Sequence, residues 1–341
     1  MRLLVVTQAV DLDDPVLSVY HEWLVVLAGH FPELEVICLK EGRHILPANV
    51  RVHSLGKERG RTIRLQYAIR FLSLVWRLRN RYDRVFVHMN QEYLLLAGWL
   101  WQILGKPAFL WRNHHHGSFL TDIAASFCKH VFCTSKHSYT AKYAKTRRMP
   151  VGIETERFSK PDNTPEPHSI LFFGRLSPSK RADMFVDALG LLKQRGVLFS
   201  ASIIGSPLPE HEGYARDLKE RITQTGLTEH VAIRPGVPHQ EAPSYFHSHE
   251  IFVNASPSGM LDKTIFEAAA AGCFILAASD DIRDMVDDSH WFSSASELAQ
   301  RLEVVLRAGV PAVDRDNLLS FAQGHSLSRL GSALTEVIVK A

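Results

Sequence analysis

The residues of this 341-residue chain whose types and spacing suit chemistry gather in two stretches of its second half. In the first, Gly174-Arg175-Leu176-Ser177-Pro178-Ser179-Lys180 stands between the apolar run ILFF and a segment carrying Met184, Phe185, Ala188, Leu189 and Leu192 at helical spacing. Ser177 and Pro178 make an N-cap and N1 pair for that helix. Lys180 is then expected in the first helical turn, where the macrodipole disfavours a cation by up to about 1 kcal/mol. A bound anion resolves that conflict. Arg175 supplies a planar fork, Lys180 a point charge and the helix start its N–H groups, which together make a pyrophosphate site. The plainer alternative is a solvated Arg and Lys at an ordinary helix start.

The second stretch follows IFVNAS and reads Pro257-Ser258-Gly259-Met260-Leu261-Asp262-Lys263, opening the helix TIFEAAAAG. Gly259 lets the backbone approach a ligand, and the helix start offers donors to a phosphate or a sugar hydroxyl. Asp262 is either an N-cap or a sugar contact. Glu267 lies in the small apolar run from Ile265 to Ala271, where a buried carboxylate without partners is costly; two adjacent ribose hydroxyls would satisfy it. Gly205-Ser206-Pro207 after SASII, and Gly236-Val237 after VAIRP, add two weaker strand-end turns. In the first half, Thr7 to Pro15 follows the opening apolar run, with Asp11 and Asp14 either binding acceptor hydroxyls or capping the next helix. His114-His115-His116 follows AFLWRN; successive side chains on an extended segment diverge, so one histidine in a cleft is expected and a three-histidine metal site is not.

The elements that must position these residues are strands buried on both faces, alternating with amphipathic helices, the pattern of parallel sheets. Strands are expected at Leu3–Val6, Leu34–Leu39, Val50–Leu55, Val85–Met89, Ala108–Trp111 and Val131–Thr134. After the proline-rich linker Ser159–His168 they recur near Ile170–Phe173, Phe199–Ile204, Val231–Arg234, Ile251–Asn254 and Phe274–Ala277. The expected class is α/β, with two doubly wound domains over 1–160 and 161–322 and a last helical segment, 323–341, crossing back to the first. Open sheets of this kind bind ligands beyond the carboxyl ends of their strands. Length suits two cores, with 46% hydrophobic and 22% charged residues and a net charge of +3, which points away from disorder and from nucleic acid. Cys38, Cys128, Cys133 and Cys273 lack metal or disulfide spacing and read as reduced thiols. The amino-terminal run leads into acidic residues rather than a cleavage site, and the apolar stretch from Tyr93 to Leu110 is broken by Gly105 and Pro107. A cytoplasmic protein, peripheral at most to the inner face of a membrane, is expected.

The ordered set Val151-Gly152-Ile153-Glu154 with Phe158, Gly-Arg-Leu…Lys, and Pro-Ser…Asp-Lys…Glu-Ala…Ala-Gly resembles the retaining glycosyltransferases of family 4, whose fold is GT-B, two Rossmann-like domains facing across a cleft. The resemblance implies a hexosyltransferase-like enzyme of cell-envelope polysaccharide synthesis, using a UDP- or GDP-linked sugar as substrate with no resident cofactor and a glycan, lipid-linked or small-molecule hydroxyl as acceptor. It implies that Arg175 and Lys180 hold the diphosphate, Glu267 the ribose, and Gly174, Gly205 and Val237 neighbour the nucleotide. The backbone of Ser258, Gly259, Met260 and Leu261 would meet phosphate and sugar, and His115 or His116 the donor sugar. Many members carry a second Glu where this chain has Gly259; Asp262-Lys263 resembles a bacterial variant and would stand in for it. No Asp-X-Asp loop has a convincing strand-end setting, Asp280-Asp281 reads as a helix cap, and metal-independent transfer is expected. A nucleotide-sugar epimerase or hydrolase, and a non-catalytic nucleotide-sugar-binding protein, are the alternatives. A dehydrogenase is disfavoured because no GxGxxG follows the first strand.

One segment stands apart. Residues 57–84 hold nine Lys or Arg against two acids, on a helix whose stripe Leu65, Ile69, Leu72 and Trp76 is expected in the core. Arg70, Arg77 and Arg81 share another face, which suits peripheral contact with an anionic membrane or a lipid-phosphate acceptor.

Overall fold

A computed structural model of the chain describes all residues other than 15–16, 61–62, 160–163, 260 and 311, together with the side chains of 312–315. Pro15, Met260 and Lys160 to Asn163 of the expected linker therefore lie outside the described residues. The chain divides into two compact units, one of Met1–Gly152 with Leu327–Ala341, the other of Ile153–Ser326.

The first unit is a seven-stranded, wholly parallel sheet in the order β3-β2-β1-β4-β5-β6-β7. Its strands are β1 Leu3–Val10, β2 Leu34–Glu41, β3 Val50–Ser54, β4 Arg84–His88, β5 Ala108–Trp111, β6 Cys128–Cys133 and β7 Thr146–Arg148. Its first four helices are α1 Tyr20–His30, α2 Arg64–Arg77, α3 Glu92–Ile103 and α4 Phe119–Ser126. Successive strand residues point to opposite faces. Leu4, Val6, Val85 and Val87 therefore pack against α2, α3 and α4, whereas Leu3, Val5 and Phe86 pack on α1 and the last helix of the chain.

The second unit is a five-stranded parallel sheet in the order β10-β9-β8-β11-β12, with β8 Glu166–Phe173, β9 Ser200–Ile204, β10 Val231–Arg234, β11 His249–Asn254 and β12 Phe274–Ala277. Its helices are α5 Thr155–Phe158, α6 Ala182–Gln194, α7 Glu212–Gln224, α8 Ala242–His247, α9 Lys263–Ala270, α10 Asp280–Arg283, α11 Ala295–Ala308 and α12 Ala312–Gly324. Helices α6, α7 and α11 share one core with Ile170, Phe172, Ile251 and Val253. The last helix, α13 Leu327–Lys340, returns to the first unit and buries Leu330, Leu334 and Ile338 beside α1.

Eleven of the twelve strands coincide in place with the apolar runs. The twelfth, β7, is the short polar segment TRR at a sheet edge, which carries no apolar run to announce it. Strand β8 begins at Glu166 and so takes in the end of the proline-rich segment. The expected core stripe of α2 is corrected: Leu65, Ile69 and Trp76 are 65%, 59% and 51% exposed, and Phe71, Leu74, Val75 and Leu78 form the buried side instead.

Candidate functional site

In the second unit the strand order reverses direction between β8 and β11, so the turns after these two strands diverge and leave a crevice at the switch point. The two chemistry-bearing stretches are these turns. The turn after β8 is tied to the turn after β9: Gly174 N–H donates to Ile204 O at 3.0 Å and Leu176 N–H to Ser206 O at 3.2 Å. The approach is so close that a Cβ at Gly205 would lie 1.9 Å from the Gly174 carbonyl oxygen, which is why only glycine fits there. Gly236, preceding Val237, donates to Ser206 Oγ at 2.9 Å, adding the turn after β10. A cavity of about 420 Å³ opens beside Gly205, Ser206 and Pro207, with Arg216, Lys219 and Arg234 on its wall.

Lys180 is not in the first turn of a helix. Pro178–Lys180 is a separate 3-10 turn, and Arg181, in the left-handed region at φ +55°, breaks it from α6. Lys180 thus lies outside α6, whose N-cap is Arg181, and the argument from a dipole conflict at Lys180 falls away. What holds Lys180 is an ion pair with Asp262 across the switch point. Asp262 also accepts from Asn254 Nδ2 at 3.0 Å and Ser256 Oγ at 3.3 Å, and it caps α9 through Thr264 N–H. Burial works to raise the Asp262 carboxyl pKa, but Lys180, Asn254 and Thr264 outweigh it and hold the group at about 2. Its acceptor positions are largely committed, so it acts as cap and as anchor of Lys180. Arg175 is exposed, with no hydrogen bond or ion pair among the described residues.

Gly259, at φ +96°, adopts a backbone conformation that disfavours other residues. Its N–H donates to the buried Asp281 at 3.3 Å, and Ser258 is bonded to Asp280. Ser279 rather than Asp280 or Asp281 caps α10, and Asp281 fixes the turn that holds Gly259. Leu261 is buried beneath the same turn.

Glu267 is 3% exposed, and its buried carboxylate has a protein partner: His239 Nε2 lies 3.0 Å from Oε1. The need for a ligand to satisfy it, expected from sequence, is met in part by this histidine, on the turn after β10. One turn of helix earlier, Lys263 is lowered to about 8 by burial, against the opposing pull of Glu267 and Glu154. His239 and Asn254 carry no sequence signal of their own, and Asp281, marked in the sequence only as a cap, gains its role from Gly259, 22 residues away.

In the first unit, Asp11 and Asp14 both turn toward Lys40, at 2.8 and 3.7 Å. Asp11 is buried and also accepts from Asp13 N–H, while Asp14 accepts from Leu17 N–H at 2.9 Å ahead of α1. Both carboxylates are therefore held in a local network. The three histidines converge, which corrects the expectation that they diverge. After β5 the chain is irregular, so strand alternation does not apply: the His114 and His115 rings are 4.7 Å apart, those of His115 and His116 3.9 Å, and their ligating nitrogens lie within 4.8 Å of one another. Closing on one divalent ion at about 2.0–2.1 Å per nitrogen would require further ring rotation. Burial first, then Arg112 and His116, holds His114 below the usual imidazole range, and burial with its two neighbours does the same for His115. All four cysteines are buried free thiols, and no helix of the described residues is long and apolar enough to cross a membrane.

Comparison with known proteins adds three findings. Residues 167–308 match the family model described as glycosyl transferases group 1. The lipopolysaccharide core biosynthesis mannosyltransferase LpsB of Rhizobium meliloti is 25% identical over 189 residues, covering 52% of this chain and 53% of the relative; mannosylfructose-phosphate synthase of Agrobacterium fabrum is 27% identical over 40% of this chain and 31% of its own length. The chain thus spans about half, or less, of these relatives. Anabaena Alr3699/HepE, solved with UDP, superposes over 100% of both chains with a TM-score of 0.81 at 18% identity. That likeness is one of fold, two Rossmann-like α/β units of the GT-B type.

Proposed function

We propose that the chain, whose residues 167–308 match the family model described as glycosyl transferases group 1, transfers a glycosyl group from a UDP- or GDP-linked sugar to a hydroxyl acceptor, with retention and without a metal ion. The observation that carries this reading is the cation pair at the switch point of the second sheet, Lys180 anchored by Asp262 and Arg175 exposed beside it. Breaking the anomeric bond develops positive charge on the sugar and negative charge on the leaving diphosphate. Fixed cations aimed at the diphosphate stabilise that separation without reorganising during the step. Arg175 chelates phosphate oxygens through its planar fork, Lys180 supplies a held point charge, and Lys263 adds a third cation when protonated. Glu267, oriented by His239, accepts from ribose hydroxyls with its remaining capacity.

Among the described residues no pair of free carboxylates stands in this site for double displacement, since Asp262 is bound to Lys180 and Glu267 to His239. Same-face attack, with the leaving phosphate taking the acceptor proton, is the route that the family resemblance implies. His115 or His116 is the sugar-contacting group that the family resemblance assigns. The acceptor is a glycan or lipid-linked hydroxyl of cell-envelope polysaccharide. The UDP-bound relative favours a uridine donor.

The test is a panel of nucleotide sugars in thermal unfolding, followed by turnover of Arg175→Ala and Lys180→Ala. A ligand at 100 times its dissociation constant raises stability by about 2.7 kcal/mol. Loss of either cation is expected to lower kcat by roughly a hundredfold or more. Near-normal turnover in either variant, or no shift with any UDP- or GDP-sugar, would overturn the reading.

A further inference from the structure

Helix α2 has two apolar sides, and only one is used by the fold. Phe71, Leu74, Val75 and Leu78 are buried against the first sheet, whereas Leu65, Ile69 and Trp76 stand in solvent with Leu72 half-buried between them. At 100° per residue these four stripe positions fall within about 60° of one another, nearly opposite the buried side. Ile63, just ahead of the helix, is also exposed. Helix α3, packed beside α2 on the same face of the sheet, adds exposed Trp99 and Ile103. Several large apolar side chains exposed on one helical layer are unusual for a protein surface and mark an interaction site.

The charge around the stripe selects the occupant. From Arg59 to Tyr82 the chain has seven arginines and no acidic residue. Arg70 and Arg77, seven positions apart, run along one flank of the stripe, and Arg64 stands at its amino-terminal end. Arg79 lies over the Trp76 ring at 4.3 Å. Arg64 and Arg77 have no ion-pair partner among the described residues. A second copy of the chain is disfavoured as the occupant, because two such helices face to face would oppose arginine with arginine and no acid to relieve it. Exposed Trp, Ile and Leu rimmed by unpaired arginines match the interface of an anionic bilayer, where apolar side chains enter the headgroup boundary and guanidinium groups meet lipid phosphates.

We propose that the outer face of α2, with Trp99 and Ile103 of α3, docks the protein on an anionic membrane surface as an interfacial, non-spanning contact. The proposal rests on no feature of the donor site. It is tested by sedimentation of the full chain with vesicles of phosphatidylcholine containing about a third phosphatidylglycerol, against pure phosphatidylcholine, at low ionic strength. The wild type is expected to sediment with the anionic vesicles and to be released by high salt. Leu65→Gln with Ile69→Gln and Trp76→Gln, and separately Arg64→Gln with Arg77→Gln, are each expected to weaken binding by roughly tenfold or more. Leu198→Gln, at an exposed apolar residue of the second unit, is expected to bind as the wild type does. All substituted side chains are exposed, so unchanged circular dichroism melts serve as the fold control, and nucleotide affinity in solution stays the same. The proposal is overturned if the wild type stays in the supernatant, if the α2 variants bind as well as it does, or if they abolish a concentration-dependent dimer instead of vesicle binding.

Discussion

Lys180 and Asp262 are 82 positions apart and form an ion pair whose acidic partner is also a helix cap. Removing the negative charge leaves a partly buried ammonium without its counter-ion. Asp262→Asn is therefore expected to lower stability by roughly 1–3 kcal/mol in urea unfolding and to weaken nucleotide diphosphate binding. A loss in neither would show that the pair contributes nothing. Lys263 yields a pH prediction with a definite sign. Its folded pKa of about 8 lies below the ordinary lysine value of 10.5, so the free protein carries a destabilising contribution below pH 8 that is relieved as the pH rises toward 10.5. A bound diphosphate favours the charged form, so nucleotide affinity should fall above pH 8, by up to about tenfold per pH unit. Calorimetric titration checks this, and Lys263→Met should flatten the profile. Arg175, Lys180 and Glu267 stand out as candidates in the sequence, the first two in a turn after a strand and the third as a carboxylate in an apolar helical run. His239 and Asp281 do not, because their significance comes from contacts with Glu267 and Gly259 across 28 and 22 residues.

Among the elements, α2 shows why helical periodicity alone misassigned a face. Leu65, Ile69, Leu72 and Trp76 repeat at helical spacing, and so do Phe71, Leu74, Val75 and Leu78. Nothing in either pattern tells which will meet a sheet; only the neighbouring β strands and α3 decide. The 3-10 turn at Pro178–Lys180 is a second case: Ser177-Pro178 begins this single short turn, without a side-chain cap bond, rather than α6, because Arg181 interrupts it. The contact between α1 and α13 depends on a glycine. A Cβ at Gly331 would lie 2.3 Å from Val26 Cγ1, so the two helices approach at a distance that excludes a side chain. Gly331→Val is expected to destabilise the first unit by about 1–3 kcal/mol through overpacking. Thermal unfolding of the variant measures it, and an unchanged midpoint would mean that α13 shifts freely along α1.

At the scale of the whole molecule, the chain enters and leaves through the first unit, and the second is one continuous segment between them. Residues 153–326 have their own sheet and core, so this segment expressed alone is expected to melt cooperatively and to bind nucleotide diphosphate. Non-cooperative melting, or no binding by a folded segment, would contradict that. A fragment ending at residue 326 lacks α13 and with it Leu330, Leu334 and Ile338 of the first core, and should be destabilised. The sequence by itself determined the two parallel-sheet domains and the turns that bear the candidate chemistry, because burial of a strand on both faces and the needs of a strand-end turn are written in adjacent residues. Only the tertiary structure decided which residues hold those turns in place and which side of α2 faces water. Both depend on contacts between segments far apart in the chain, and local pattern carries no record of them.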